Sequence, residues 1–325
     1  MAETFCASGC EVDIVDRNDL RVFPKKTYDF AIDIHQNFSR WADILPFHCQ
    51  KILHATGAHW MTQNLAEMNR LIALRDRREI SLTPRRQSAP NQGIEIADCV
   101  TVLGNVFTVD SFAFSKKPIH RIPISSAYQF DWPDNKNWDQ ARKKFLWLGS
   151  FGMVHKGLDL VLETFSERTD LELTVCGRPE KEDDFFSLYK KELTKLSNIH
   201  LAGWVDPASD TFEQIRQEHG FILYPSCSEG GGGAVIHTQH AGLLPVVTPS
   251  ASVDIENFGV LIRDGSLAAV REAVDKVANF SASDLKARSR ASWEHVRQVH
   301  TLEAFKNNYQ VFVNTLLNNS SNNKA

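Results

Sequence analysis

The sequence lacks the features that mark several large classes of protein. Its 325 residues contain no run of 18 or more apolar residues, so we expect no segment to span a membrane. The first 30 residues hold no apolar core of a secretory signal, which favours a cytoplasmic location. Peripheral contact with a membrane surface stays open as an expectation.

Positive charge and paired cysteines are also scarce. There are 36 Lys and Arg against 40 Asp and Glu, and no dense basic stripe, so we do not expect nucleic-acid binding. The six cysteines form no C-x-x-C pair, which favours reduced, buried thiols over disulfides or zinc ligands. The arginines at 75, 77, 78, 85 and 86 are interrupted by other residues. A solvated helix face and turn is their first interpretation, and an anion or acceptor contact is the second.

What the chain does contain is an alternation of short β-rich runs and longer helical segments. This pattern predicts an α/β protein with mainly parallel sheets. In the first half the predicted strands are 11–15, 30–34, 51–54, 99–103 and 120–122. In the second half they are 145–148, 171–176, 199–202, 221–224, 245–248 and 259–262.

A polar stretch at 130–144 interrupts the alternation and divides the chain into two units. We predict a shortened first domain at 1–138, a second domain at 139–300, a C-terminal helix at 301–317 that packs toward the first domain, and a disordered tail at 318–325. Two doubly wound units leave a cleft between them, and ligands of such sheets bind beyond the carboxyl ends of the strands.

The most informative segment is YPSCSEGGGGAVIHTQHAGLLPVV at 224–247. Four consecutive glycines open a helix, although glycine in a helix costs roughly 0.8–1 kcal/mol relative to alanine. Their presence is explained if a phosphate must reach the unpaired N–H groups at the helix start. A flexible loop without a ligand is the alternative. The candidate binding residues are Gly230, Gly231, Gly232, Gly233 and Ala234.

A second segment, FLWLGSFGMVHKGLDLVLETF at 145–165, also runs from a strand through a glycine-containing loop into a helix. Lys156 stands at the junction of loop and helix, where an ammonium group can neutralise phosphate. Taken alone, a lysine at such a place is more often an ordinary surface residue.

Together the two segments resemble the retaining glycosyltransferases of family 4 (group 1), which have the GT-B fold. The matching positions are Lys156-Gly157, Pro225-Ser226, Glu229-Gly230, Gly232, Gly242 and Pro245-Val246-Val247. The resemblance covers residues 145–299 well and the first half only loosely. It implies two Rossmann-like domains facing a cleft, with the first apparently lacking its usual opening strand, because 11–15 resembles the family's second strand.

The sequence departs from the family pattern at two positions. Ser150 stands where the family has an arginine, and His237 stands where it has a second glutamate. In the family the arginine and the lysine hold the donor diphosphate, and the second glutamate holds the ribose hydroxyls. The resemblance therefore implies that Ser150 and His237 line the donor site with altered contacts.

The resemblance further implies the activity, a transfer of sugar from a nucleoside-diphosphate sugar with retention (EC 2.4). Lys156 would stabilise the leaving diphosphate, Glu229 would orient the sugar, and neither a cofactor nor a metal is expected. The acceptor is a glycan, a lipid or a small molecule. His54 follows an apolar run and resembles the family's first-domain histidine, although a lone histidine at a strand end is more often structural; His59 and His35 are weaker candidates.

Three other functions compete with this interpretation. A catalytically inactive GT-B binding or scaffold protein is favoured by Ser150, His237 and the short first domain. A hydrolase is disfavoured because Ser226 replaces the first glycine of a G-x-S-x-G elbow. A dehydrogenase is disfavoured because no G-x-G-x-x-G follows the first strand. His237 and His240 have a spacing that could hold a metal, but no third ligand is spaced with them.

Overall fold

The computed structural model describes residues 1–34 and 36–322, and side chains as far as residue 318. Within that range the chain forms two parallel β-sheets, each flanked by helices. The first sheet contains β1 (Phe30–Asp33), β2 (Gln50–Ala55), β3 (Cys99–Val102) and β4 (Ile119–Arg121). Its helices are α1 (Ala2–Ala7), α2 (Phe38–Trp41), α3 (Trp60–Arg78), α4 (Gly93–Ile96) and α5 (Val106–Phe112).

The strands of the first sheet lie side by side in chain order, β1-β2-β3-β4. Alternate residues of each strand point to opposite faces. Leu53 and Val100 face the cluster that includes α2 and α4, whereas Ile52 and Cys99 face a second cluster on the other side. Helices from the two ends of the described chain cover that second face.

Those two helices are α1 and α14 (Leu302–Asn322). Tyr309, Phe312 and Leu316 of α14 pack with Phe5 of α1 and with Ile52 of β2, so the last helix belongs to the core of the first domain. The helix was predicted to end at residue 317, but its backbone continues through Asn322. The part of the predicted tail at 323–325 lies outside the described residues.

The predicted strand at 11–15 is absent from the sheet, and this prediction is wrong. Its acidic residues bind side chains instead: Glu11 accepts a hydrogen bond from Lys26 at 2.7 Å, and Asp13 accepts one from Tyr28 at 2.6 Å. The segment lies near β1 without joining its ladder, and β1 is the first strand of the described sheet.

The second sheet has six strands in the order β10-β9-β8-β5-β6-β7. These strands are β5 (Lys144–Leu148), β6 (Glu172–Cys176), β7 (Ile199–Gly203), β8 (Phe221–Tyr224), β9 (Leu244–Val247) and β10 (Val260–Leu261). The helices are α6 (Trp138–Ala141), α7 (Leu158–Phe165), α8 (Asp183–Leu188), α9 (Lys190–Lys195), α10 (Asp210–Glu218), α11 (Gly233–His240), α12 (Leu267–Ala278) and α13 (Ala282–Val299). The strand order reverses between β5 and β8, and such a reversal opens a crevice beyond the strand ends.

The two domains are joined by ion pairs that were not predicted from the sequence. Arg77 at the end of α3 contacts Asp159 at 2.7 Å and Glu163 at 3.1 Å, both on α7. Arg85 contacts Asp184 at 2.7 Å. The first interpretation of the arginine cluster as a solvated face is therefore wrong for these members, because they are held between the domains.

In the part of the chain that the structure describes, no helix has the length and apolar character needed to cross a membrane. The cysteines are all unpaired, with Cys49, Cys99 and Cys176 buried and Cys6 exposed.

Candidate active site

A cavity of about 680 Å³ lies between the domains, at the crevice where the second sheet reverses. The first domain lines it with the loop after β2 and with residues of the segment 85–91. The second domain contributes Phe151 from the loop after β5, and Ser228, Glu229 and Gly230 from the loop after β8. The two segments singled out in the sequence therefore meet at one place.

Lys156 and Glu229 form an ion pair beside this cavity, with 2.7 Å between Nζ and Oε1. Their side chains are only 9% and 13% exposed, so water screens the pair weakly. Glycine at 157 allows the close packing behind Lys156: its φ is 74°, and a β-carbon there would lie 2.5 Å from the carbonyl oxygen of Pro225. The loops after β5 and β8 are thus fitted together.

The Glu229 carboxylate is held by three donors on one oxygen. Besides Lys156, Tyr224 donates its hydroxyl proton to Oε1 at 2.8 Å and Ser226 donates at 2.9 Å. Burial alone would raise the pKa of Glu229, but the charge of Lys156 and these hydrogen bonds lower it to about 2. Burial and the adjacent carboxylate raise the pKa of Tyr224 well above its ordinary value. The glutamate is therefore ionised and the tyrosine is a neutral donor at neutral pH.

His155 is hydrogen-bonded to the loop after β8, which carries Glu229. Its Nε2 lies 2.6 Å from the carbonyl oxygen of Ser228, and its backbone carbonyl accepts a hydrogen bond from Cys227 at 2.9 Å. Burial lowers the pKa of His155. A neutral ring with its proton on Nε2 fits this contact, so the histidine positions the loop that carries Glu229.

Three of the four glycines have structural reasons that the sequence alone does not reveal. A β-carbon on Gly230 would collide with the carbonyl oxygen of Thr56 and would lie 2.6 Å from the nitrogen of Gly57, both in the first domain. Gly231 and Gly232 have φ values of 131° and 48°, which disfavour other residues. Glycine is thus required for close contact between the domains and for the turn itself.

The same turn leaves backbone donors unused at the start of α11. Among the described residues, no hydrogen-bond acceptor is seen for the N–H groups of Gly230, Gly231, Gly232, Gly233 and Ala234. Gly233 is exposed, and Ala234 is half-buried. Unpaired N–H groups at a helix start carry partial positive charge and suit an anion.

Ser150 lies exposed in the loop after β5 and brings no charge to it. The loop is held by the buried Glu182, which accepts a hydrogen bond from the backbone N–H of Gly152 at 2.6 Å and contacts that of Met153 at 3.2 Å. Ser150 is thus close in sequence to Phe151, which lines the cavity, but has no place in its lining.

His237 is enclosed rather than open to the cavity. Its ring contacts Tyr128, Phe130 and Phe212 at centroid distances of 5.3, 5.4 and 5.1 Å. Burial lowers its pKa to about 4. The segment that links the domains supplies two of these rings, so it covers the face of α11 on which a ribose contact was expected. Among the described residues, no group of three potential metal ligands is present, at His237 or elsewhere.

His54 does not reach the cavity either. It lies on β2 with its ring on the face covered by α14, where Nδ1 is 2.7 Å from the hydroxyl of Thr101 and the ring meets Tyr309. Strand alternation explains this placement, because Leu53 and Ala55 occupy the face that lines the cavity. His59, five residues later, does line the cavity, and its buried Nε2 has no hydrogen-bond partner among the residues that the structure describes.

The first-domain side of the cavity is organised by Glu67, a buried residue of α3. Its carboxylate accepts hydrogen bonds from the backbone N–H groups of Arg85 and Arg86 at 2.9 and 2.8 Å, and from the Gln87 side chain at 2.8 Å. Glu67 was not predicted from the sequence. Its signal in the sequence is the spacing to Leu71 and Leu74, which places the acid on the same helix face as two apolar residues.

Comparisons with known proteins agree with this architecture. Residues 142–279, less than half of the chain, match the family model described as Glycosyl transferases group 1. Sucrose-phosphate synthase from Thermosynechococcus elongatus has 13% identity and a TM-score of 0.61, over 89% of this chain and 74% of that one. The fold is GT-B.

Two further GT-B structures show the same similarity. HepE from Anabaena, solved in complex with UDP and glucose, has 9% identity and a TM-score of 0.61, over 89% of this chain and 78% of that one. A glycosyltransferase from Rickettsia africae has 12% identity and a TM-score of 0.57, over 90% and 99% of the two chains. No curated protein shows significant sequence similarity to this chain. Because the family model matches the second domain, it supports sugar transfer as the general kind of activity.

Two more residues of the site were missed in the sequence, although both lie within the segment that drew attention. Tyr224 ends a buried strand, and Ser226 was noted only as a match to the family pattern and as the residue in place of the elbow's first glycine. Their hydroxyl groups both donate to Glu229. A tyrosine directly after three apolar strand residues was the signal for a hydroxyl at the strand end.

Proposed function

We propose that this protein transfers a sugar from a nucleoside-diphosphate sugar to an acceptor on the first-domain side of the cleft. The observation that carries the proposal is the Glu229 carboxylate. Lys156, Tyr224 and Ser226 fix its Oε1, while Oε2 accepts no hydrogen bond from the described residues and Glu229 lines the cavity. A fixed carboxylate with one free oxygen is suited to orient a sugar hydroxyl.

The charge that develops on the leaving diphosphate has two sources of stabilisation. The Lys156 ammonium group donates two of its three N–H groups in hydrogen bonds to Tyr224 and Glu229, and the third remains for a phosphate oxygen. The unpaired N–H groups at the start of α11 provide further donors. Donors fixed before the reaction stabilise developing charge without reorganisation. Retention of configuration enters the proposal from the resemblance to family 4.

The acceptor would lie against the first-domain part of the cavity lining. His59 offers a buried, unpartnered Nε2, and burial lowers the pKa of its ring, which favours the neutral form. Gln63 and Ser88 line the same wall and are hydrogen-bonded to each other at 2.8 Å. Uncharged polar groups of this kind match hydroxyl groups of a glycan, of a glycolipid head or of a small polyol.

A second function, a GT-B protein that binds a nucleotide without turnover, is favoured by the surroundings of His237. The rings of Tyr128, Phe130 and Phe212 enclose the position at which a ribose contact was expected. Ser150 also leaves the loop after β5 without the positive charge that an arginine provides at this position in the family pattern.

The deciding experiment is thermal unfolding of the wild type with UDP, GDP, ADP and their hexose conjugates. A ligand at 100 times its Kd stabilises the native state by about 2.7 kcal/mol. We expect one base series to raise Tm, the Lys156→Ala variant to lose the increase, and the exposed-lysine control Lys190→Ala to keep it.

Turnover separates the two functions. Proton NMR of the stabilising nucleotide sugar would follow its hydrolysis or transfer to simple acceptors, and would report the anomeric configuration of the product. Binding without consumption of any donor would favour the non-catalytic function. The absence of any Tm increase at millimolar nucleotide would contradict both.

A further inference from the structure

Arg86 of the first domain lies directly over the loop after β5 in the second domain. A β-carbon on Gly152 would collide with Cγ of Arg86, so the glycine, with a φ of 81°, makes room for this side chain. Arg86 also lines the cavity that Glu229 lines. The guanidinium thus enters the cleft at the same loop in which Ser150 stands without a charge.

The guanidinium of Arg86 has no acidic partner among the described residues. Arg77 and Arg85 bind carboxylates across the domain boundary. Within the described part of the chain, Arg86 takes part in no ion pair, and its buried Nε makes no hydrogen bond. Glu229, the carboxylate in the cavity lining, is already paired with Lys156. Leaving a partly buried cation unpaired is unfavourable, and this points to an anionic ligand.

Hydrogen bonds hold both the N–H and the carbonyl group of Arg86, and they fix the direction in which its side chain leaves the backbone. Glu67 accepts the N–H of Arg86 at 2.8 Å, and Gln63 donates its amide to the carbonyl oxygen of Arg86 at 2.5 Å. Both supporting residues lie on α3, a 19-residue helix of the first domain. A cation on such a support is preorganised for its ligand.

We propose that Arg86 contacts the diphosphate of the donor across the cleft and supplies, from the first domain, the charge that Ser150 does not supply. This assignment rests on the proposed function. An arginine binds phosphate oxygens through two parallel N–H donors, which a lysine cannot do. Donor binding would then join the two domains, because Lys156 and the N–H groups of α11 lie on the opposite side.

The test is calorimetric titration of UDP, GDP, ADP, the matching nucleosides and inorganic pyrophosphate into four proteins. These are the wild type, Arg86→Gln, the double variant Arg86→Gln/Ser150→Arg, and Arg75→Gln as a control. Arg75 lies on α3, is exposed and pairs with its neighbour Asp76. Melting curves without ligand show whether each variant is folded.

We expect Arg86→Gln to weaken binding of the nucleoside diphosphate roughly 10- to 100-fold, because the charge-assisted contact to phosphate is lost. The affinity for the nucleoside should stay within about twofold of the wild type. The double variant should recover part of the loss, and Arg75→Gln should bind as the wild type does. Arg86→Gln with unchanged diphosphate affinity would overturn the assignment while the proposed function stands. A wild type that binds no nucleotide and no pyrophosphate would overturn both.

Discussion

On the second-domain side of the cleft, Lys156, Tyr224, Ser226 and Glu229 are all held within one domain. On the first-domain side, the loop that carries Arg85 and Arg86 is fixed by Glu67, and its arginines reach toward the other domain. The side-chain hydrogen bonds of the second-domain site lie within that domain, although Arg70 and Thr108 of the first domain donate to the backbone carbonyls of Pro225 and Glu229. The first-domain wall contacts the other domain through its arginine side chains. The difference predicts that the Lys156–Glu229 ion pair and the arginine loop of the first domain can be altered separately by substitution.

The largest effect is expected from Lys156→Met, which leaves the Glu229 carboxylate buried without its cation. Removing one partner of a buried ion pair destabilises a protein by about 3–5 kcal/mol. Urea unfolding followed by circular dichroism should show this loss, and Lys156→Met/Glu229→Gln should regain much of it. A single variant as stable as the wild type would mean that the pair is more hydrated than its burial indicates.

The same pair gives the stability a pH dependence with a defined sign. The pKa of Glu229 is lowered from the ordinary 4.5 to about 2, so the folded state holds fewer protons than the unfolded state between these values. Its contribution is present above pH 4.5 and is lost as the pH falls toward 2, by roughly 3 kcal/mol in all. The double variant should lack this part of the acid transition when both are unfolded in urea at successive pH values.

On the first-domain side, Glu67→Ala should release the segment 85–88 without disturbing the Lys156–Glu229 pair. The variant loses three hydrogen bonds to one carboxylate, and we expect a destabilisation of about 2–3 kcal/mol. Hydrogen exchange should become faster at residues 85–88 and stay unchanged at 224–229. Asp76→Ala on the exposed face of the same helix is the control. Faster exchange on both sides would show that the two sides are coupled.

Gly230→Ala tests the contact between the loop after β8 in the second domain and the loop after β2 in the first. The added carbon would press against the backbone of Thr56 and Gly57, and overpacking of this kind costs about 1–3 kcal/mol. Urea unfolding should show this loss, because one of the two loops must shift to admit the carbon. Gly233→Ala is the matched control, since the nearest atom to its β-carbon lies 3.9 Å away. Equal behaviour of the two variants would contradict the close contact.

The smallest effect is expected from His54→Leu, which lies outside the cavity. It removes the hydrogen bond to Thr101, worth about 1 kcal/mol, and should leave nucleotide affinity within twofold of the wild type. Titration of the nucleotide that stabilises the wild type measures this directly. A large loss of affinity in His54→Leu would contradict the placement of this residue away from the donor site.

Much of the second domain could be predicted from the sequence because its strands are short apolar runs that end in glycine-containing loops. The strands at 145–148 and 221–224 appear as β5 and β8 within one residue. The first domain was harder to predict. The segment 11–15 alternates apolar and polar residues as a strand does, but its acidic side chains accept hydrogen bonds from Lys26 and Tyr28 and its backbone joins no sheet. Alternation alone does not show whether a ladder partner is present.

The sequence by itself determined the α/β class, the division into two units and the two loops that hold Lys156 and Glu229. These follow from hydrophobic periodicity and from glycines placed at strand ends, which are local properties of the chain. Only the tertiary structure decided that His54 faces away from the cavity, that aromatic rings enclose His237 and that Arg86 reaches the loop of Ser150. Each of these depends on the face of a strand or on contact between distant segments, which the order of residues does not specify until the sheets are packed.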